Sequence, residues 1–296
     1  MDFLSKLFGK KKRVDQVNIE ERFQLIGRIG QGSMSKVWKA TDRTTGKLVA
    51  LKVLDRAKTL RLEQRFVGMN RPTEGQIAVV LRHPNIVRTY EHGITTNNEQ
   101  FLVMEFVEGV SLSYLVDLQN KRMKDQCLWY CLRLGEAMCY LHQNDWIHRD
   151  LCPRNVIVTP DDVIKLIDFG LMVPNTPEFR KPGNRTGTAN YMAPELIKRQ
   201  PTDQRIDIFS FAVTCFEMFT KELPWPAADS LESVLQHVNK PPKQIRKICP
   251  DLDKQVAACI MKGLEREPRD RWQTMRQMTN ELAAADERIQ AELGEV

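Results

Sequence analysis

Three polar side chains stand at short spacing in the middle of the chain. Asp150 and Asn155 lie five residues apart in His148-Arg149-Asp150-Leu151-Cys152-Pro153-Arg154-Asn155, and Asp168 follows thirteen residues later in Asp168-Phe169-Gly170. Two carboxylates and an amide offer hard oxygen ligands to a divalent cation and an acceptor for a hydroxyl proton. A second group lies nearer the N-terminus. Gly30 and Gly32, in Gly30-Gln31-Gly32-Ser33-Met34-Ser35-Lys36-Val37, allow a tight bend that brings backbone N–H groups against phosphate oxygens. Fifteen residues after Val37, Lys52 ends the apolar run Val49-Ala50-Leu51-Lys52, where an ammonium needs an anion. A lone strand-end lysine usually snorkels to solvent, and a lone Gly-rich hairpin is usually a turn. In this order the two favour phosphate.

These groups need elements to hold them. Phe23 to Ile29, Lys36 to Thr41, Leu48 to Leu54, Ile86 to Tyr90 and Phe101 to Phe106 read as strands, and residues 59–67 and 72–81 as helices. Beyond Ser111 the pattern turns helical, notably over 125–143, 205–220 and 253–263, with Met278, Leu282, Ala285, Ile289 and Leu293 marking a terminal helix. A strand-rich first third and a helix-rich remainder argue for an α+β chain of two lobes with a cleft between them.

The 296 residues are 42% hydrophobic and 28% charged, the composition of an ordinary globular protein. No apolar run is long enough to span a bilayer, and no apolar stretch of a secretory signal follows the first basic residues, so a cytosolic chain is expected. The seven cysteines fit reduced thiols, and Cys127 and Cys131, on one helical face, read as buried thiols. A net charge of +6 is no nucleic-acid signature. Much of the excess lies in Lys6, Lys10, Lys11, Lys12 and Arg13, beside Phe3, Leu4, Leu7 and Phe8 on one helical face. Such a segment over residues 3–13 can lie on an anionic membrane or remain a solvated tail.

With the loop, the strand lysine, His-Arg-Asp and Asp-Phe-Gly in order, the chain resembles the eukaryotic-type (Hanks-type) protein kinases over roughly residues 20–285. The resemblance implies a small antiparallel β-sheet lobe with one main helix over about 19–105, and a larger, mostly helical lobe over about 108–285. Residues 1–18 would be a basic tail and 286–296 a helical one. It implies ATP and Mg²⁺ as cofactors and protein substrates as partners. Lys52 would contact the α- and β-phosphates and pair with Glu74, which precedes His83-Pro84-Asn85 by nine residues; Glu63 is the rival. Asp150 would orient the acceptor hydroxyl as base, and Asn155 and Asp168 would hold the metal. Val37, Ala50 and Ile157 would sandwich adenine, with Met104 as gatekeeper and Glu105 and Val107 in the hinge.

Two departures stand out. Ser35 takes the place of a third loop glycine, and Cys152 that of a lysine found in serine/threonine kinases. Arg154 stands where tyrosine kinases carry an arginine, and could restore the missing charge. Gly187-Thr188-Ala189-Asn190-Tyr191-Met192-Ala193-Pro194-Glu195 is similar instead to serine/threonine kinases, with Thr188 bonding Asp150. Arg149 before the aspartate implies activation by loop phosphorylation, with Thr186 preferred over Thr176; Asn184 fills a frequent phosphosite position. Asp207 would anchor the catalytic-loop backbone, and Arg271 would pair with Glu195. The resulting expectation is ATP-dependent transfer to Ser/Thr hydroxyls. The alternatives are a nucleotide-binding pseudokinase scaffold, and dual or tyrosine specificity.

Overall fold

The computed structural model describes residues 16–31, 34–182 and 186–294. Expectations on the basic segment 3–13, on Gly32 and on Asn184 lie outside the described residues. The chain divides between Glu108 and Gly109 into two compact units.

In the first unit, strand β1 (Gln16–Val17) and one-turn helix α1 (Ile19–Arg22) precede β2 (Phe23–Gln31), β3 (Ser35–Asp42) and β4 (Leu48–Leu54). Helices α2 (Arg56–Glu63) and α3 (Glu74–Ala78) follow, then β5 (Thr89–Thr95) and β6 (Gln100–Glu105). The six strands form one sheet in the order β1-β5-β6-β4-β3-β2. It is antiparallel except for β1, which runs parallel to β5 with Gln16 opposite Ile94. The sheet thus takes in Gln16 and Val17, which the resemblance assigns to the N-terminal segment 1–18. Val17 and Ile19 pack on the core of Phe23, Ala40, Val49, Leu51, Phe101 and Val103, and that burial draws the segment into the sheet.

Local chemistry moves other boundaries. Asp55 accepts a hydrogen bond from the Lys58 N–H at 3.0 Å and so starts α2 earlier than residue 59. Thr73 caps α3 through a reciprocal pairing with Gln76, which leaves Pro72 outside a helix of only five residues. The strand expected over 86–90 runs from Thr89 to Thr95 instead. Gly93 belongs inside it because the Phe101 ring lies where a side chain would go, 2.7 Å from the site of a Cβ.

The second unit begins with β7 (Val110–Ser111), α4 (Leu112–Leu118) and α5 (Lys121–Gln143). Three short strands and a fourth follow: β8 (Trp146–Ile147), β9 (Val156–Val158), β10 (Ile164–Leu166) and β11 (Val173–Pro174). Helices α6 (Pro194–Ile197), α7 (Arg205–Thr220), α8 (Leu231–Asn239), α9 (Ile245–Ile248), α10 (Lys254–Gly263) and α11 (Met275–Gly294) complete it. Helix α7 is buried continuously from Ile206 to Phe216, as a helix with apolar side chains on every face must be. Helix α11 continues unbroken across residue 286; its burial stops at Ala285, and Leu293 is 68% exposed. No helix among the described residues is long and apolar enough to cross a membrane.

The β9–β10 hairpin carries Asn155 just before it and Asp168 just after it. Its turn is tied to α5, where Arg122 donates to Asp162 at 2.8 Å and the Tyr130 hydroxyl donates to the same carboxylate. A long helix thus fixes the hairpin that spaces the two polar residues.

Candidate active site

In the first unit, Lys52 Nζ meets Glu74 Oε1 at 2.6 Å, with both side chains buried. Glu63 is engaged elsewhere, accepting from Gln100 at 2.9 Å. Ala50 is buried opposite Met104, and half-buried Val37 stands opposite Lys52 on one side and Gly30 on the other. Glu105 exchanges backbone and side-chain bonds with Arg88 at 2.8 Å, and Val107 is half-buried just beyond it. Burial pushes the guanidinium of Arg71 down to about 10, against the pull of Glu74 and Glu63.

In the second unit, the loop between β8 and β9 is built on Asp207. Its carboxylate accepts from the N–H of His148 at 2.7 Å and of Arg149 at 2.8 Å, and bonds His142 Nε2 at 2.9 Å. Burial opposes its charge. The His142 bond, the nearby imidazoles and the Arg149 N–H nonetheless hold its pKa below the ordinary value. Arg149 takes a left-handed φ of 71°, which turns the chain toward Asp150.

Asp150 is gripped from two sides. Its Oδ1 accepts from the Thr188 N–H at 2.7 Å and from the Thr188 hydroxyl at 2.8 Å. Asn155 Nδ2 donates to the Asp150 carbonyl at 2.8 Å and to Oδ2 at 3.2 Å, so the amide offers its oxygen to a cation. Asp168 Oδ1 accepts from the Gly170 N–H at 3.0 Å, and Phe169 sets its ring edge-on to His148. No group of three His, Cys, Asp or Glu suited to a metal occurs among the described residues. One carboxylate plus one amide oxygen is a donor set that fits Mg²⁺ shared with phosphate oxygens.

Cys152 is buried, and burial with the Asp150 charge beside it pushes its thiol up to about 11, against the pull of Arg154. It is therefore a neutral small side chain at pH 7. Arg154 is exposed, and half-buried Ile157 sits in β9 opposite Lys165 and Ser111.

The segment holding Thr188 is itself pinned. A Cβ on Gly187, which has φ +129°, would lie 2.6 Å from the Arg149 carbonyl oxygen, so only glycine admits this approach. The Tyr191 hydroxyl donates to Glu217, and Ser210 donates to the Tyr191 carbonyl at 2.8 Å. Glu195 and Arg271 form two parallel bonds of 2.7 Å, both side chains buried. His237 stacks on Trp225 at 4.5 Å; burial pushes its pKa down to about 4, against a backbone hydrogen bond with Met192. Thr186 is buried, 5% exposed, and Thr176 half-buried. Sequence reasoning missed His142, Glu217 and His237. Each acts across a long stretch of chain, and no local spacing marks it.

A family model described as the protein kinase domain matches residues 23–282, and the chain belongs to that family. It is 31% identical over 270 residues to a probable serine/threonine-protein kinase of Clostridium acetobutylicum, covering 90% of this chain and 40% of that protein. It is 30% identical to the serine/threonine-protein kinase PknB of Mycobacterium leprae and 29% identical to PknB of Mycobacterium tuberculosis H37Ra. Each of these two matches covers 90% of this chain and 43% of the relative. The chain thus spans less than half the length of these relatives.

Proposed function

We propose that this chain is an ATP-dependent protein kinase that transfers the γ-phosphoryl group to Ser/Thr hydroxyls of proteins. The observation that carries the reading is the grip on Asp150: Thr188 fixes one carboxylate oxygen and Asn155 the other. A carboxylate oriented in this way accepts the proton of an acceptor hydroxyl. Thr188 belongs to the Gly-Thr segment that resembles serine/threonine kinases.

Asn155 and Asp168 would hold Mg²⁺, which neutralises charge on the phosphates when bound. Lys52, kept in place by Glu74, supplies a cation to the phosphates, and Gly30 with Gly32 supplies backbone N–H donors. Val37, Ala50 and Ile157 offer apolar surface to adenine, and the backbone of Glu105 and Val107 its hydrogen bonds. Arg154 provides the positive charge that neutral Cys152 does not.

Regulation would act through a phosphate on Thr186 paired with Arg149, with Thr176 as the second candidate. Because Thr186 is buried, its hydroxyl must leave its present position to be modified.

Phosphoamino-acid analysis after incubation with labelled ATP, Mg²⁺ and a basic protein tests the reading. Label on Ser and Thr is expected. Label on Tyr overturns the specificity, and no label despite a Mg-ATP-dependent rise in Tm makes the chain a nucleotide-binding scaffold.

A further inference from the structure

One row of directly opposed residues crosses five strands of the first unit. Gly30 faces Val37, Val37 faces Lys52, Lys52 faces Leu102, and Leu102 faces His92. Residues opposed in this way project from one face of a sheet, so Lys52 and His92 rise on the same side with Leu102 between them. Helix α3 meets both. Glu74, its first residue, reaches Lys52 at 2.6 Å. Gly75, its second, lies against His92.

A Cβ on Gly75 would stand 2.5 Å from His92 Cβ, 2.7 Å from Cγ and 3.0 Å from Nδ1. Non-bonded carbons settle at about 3.5–4.0 Å, so a side chain there would drive α3 off the sheet by about 1 Å. The obstructing His92 Cβ is bonded to the strand backbone and cannot swing aside. Gly75 sits in a right-handed helix, so the demand for glycine is one of space and not of backbone conformation. In a helix, glycine is also less stable than alanine by about 1 kcal/mol, so local propensity argues against it. The Thr73–Gln76 pairing fixes where α3 begins, and the Gly75–His92 approach fixes how closely it lies.

We propose that Gly75 is a positioning residue: its missing side chain seats α3 against His92 and thereby holds Glu74 within reach of Lys52. The inference rests on the proposed use of Lys52 in phosphate binding.

Crystal structures of the whole chain and of Gly75→Ala read the Lys52–Glu74 distance without nucleotide, and transfer assays read its consequence. In Gly75→Ala the contact is expected to open beyond hydrogen-bond range and kcat to fall about a hundredfold, the scale of a 1 Å misplacement. Both should recover in Gly75→Ala/His92→Gly, which removes the obstructing Cβ. In a Glu74→Ala background, Gly75→Ala should lower kcat little further, because the contact that it disturbs is already lost. An unchanged distance and rate in Gly75→Ala overturns the proposal. So does failure of His92→Gly to restore them, and this second variant decides the matter if Gly75→Ala alone does not fold. Should the wild type transfer no phosphate while the contact opens and recloses across the series, the kinase reading falls and the positioning role stands.

Discussion

Asp207 and Glu74 are both buried carboxylates that position a neighbour, one in each unit, and they are mounted differently. Asp207 projects from a 16-residue helix buried along most of its length, and it accepts two backbone N–H groups and a histidine. Glu74 projects from a five-residue helix onto a flexible lysine stem, at a distance set by a glycine. The loop that carries Asp150 is thus tied into a core, whereas the Lys52–Glu74 pair depends on the seating of one short element. Loosening the first should cost the fold. Loosening the second should cost turnover and leave most of the fold standing.

The largest effect is expected where the second unit is tied most tightly. Glu195→Gln leaves the buried guanidinium of Arg271 short of its counter-charge, and stability should fall by about 3–5 kcal/mol in denaturant titration. Next comes the response to acid. His237 is held neutral down to about 4, while an unfolded histidine binds its proton near ~6.5. Above that pH neither state is protonated. As pH falls, the unfolded chain takes up a proton that the folded one refuses, so stability should drop by up to about 3 kcal/mol between the two values. His237→Phe should flatten that part of the curve.

On the other side of the comparison, Glu74→Gln should lower kcat at least about tenfold while costing only about 1–2 kcal/mol, because buried Lys52, unlike Arg271, can shed its proton when its counter-charge is removed. A loss as large as that of Glu195→Gln would erase the contrast. The smallest effect is expected at Cys152. Its buried thiol, pushed up to about 11, should resist iodoacetamide in the folded chain at pH 8 and react once the chain is unfolded.

How far the sequence could be read follows from the range over which each feature is determined. Asp150, Asn155 and Asp168 were legible because a loop and a short hairpin fix their spacing locally. The Lys52–Glu74 and Arg271–Glu195 pairs were reached only through resemblance, since each joins segments far apart in the chain. Propensity failed where packing overrode it. The strand expected to end at Tyr90 runs on through Gly93 under the Phe101 ring, and Gly75, a weak helix position, is what admits α3 to His92. Val17 reads as tail until the core on which it packs is known.

The account stands most directly on Asp150, and the measurement is phosphoryl transfer by Asp150→Asn at saturating Mg-ATP, with nucleotide affinity measured alongside. Affinity should stay near that of the wild type while transfer falls by about 10²–10⁴-fold, the contribution of a positioned base. Transfer at the wild-type rate would contradict the assignment of Asp150 and the function built on it.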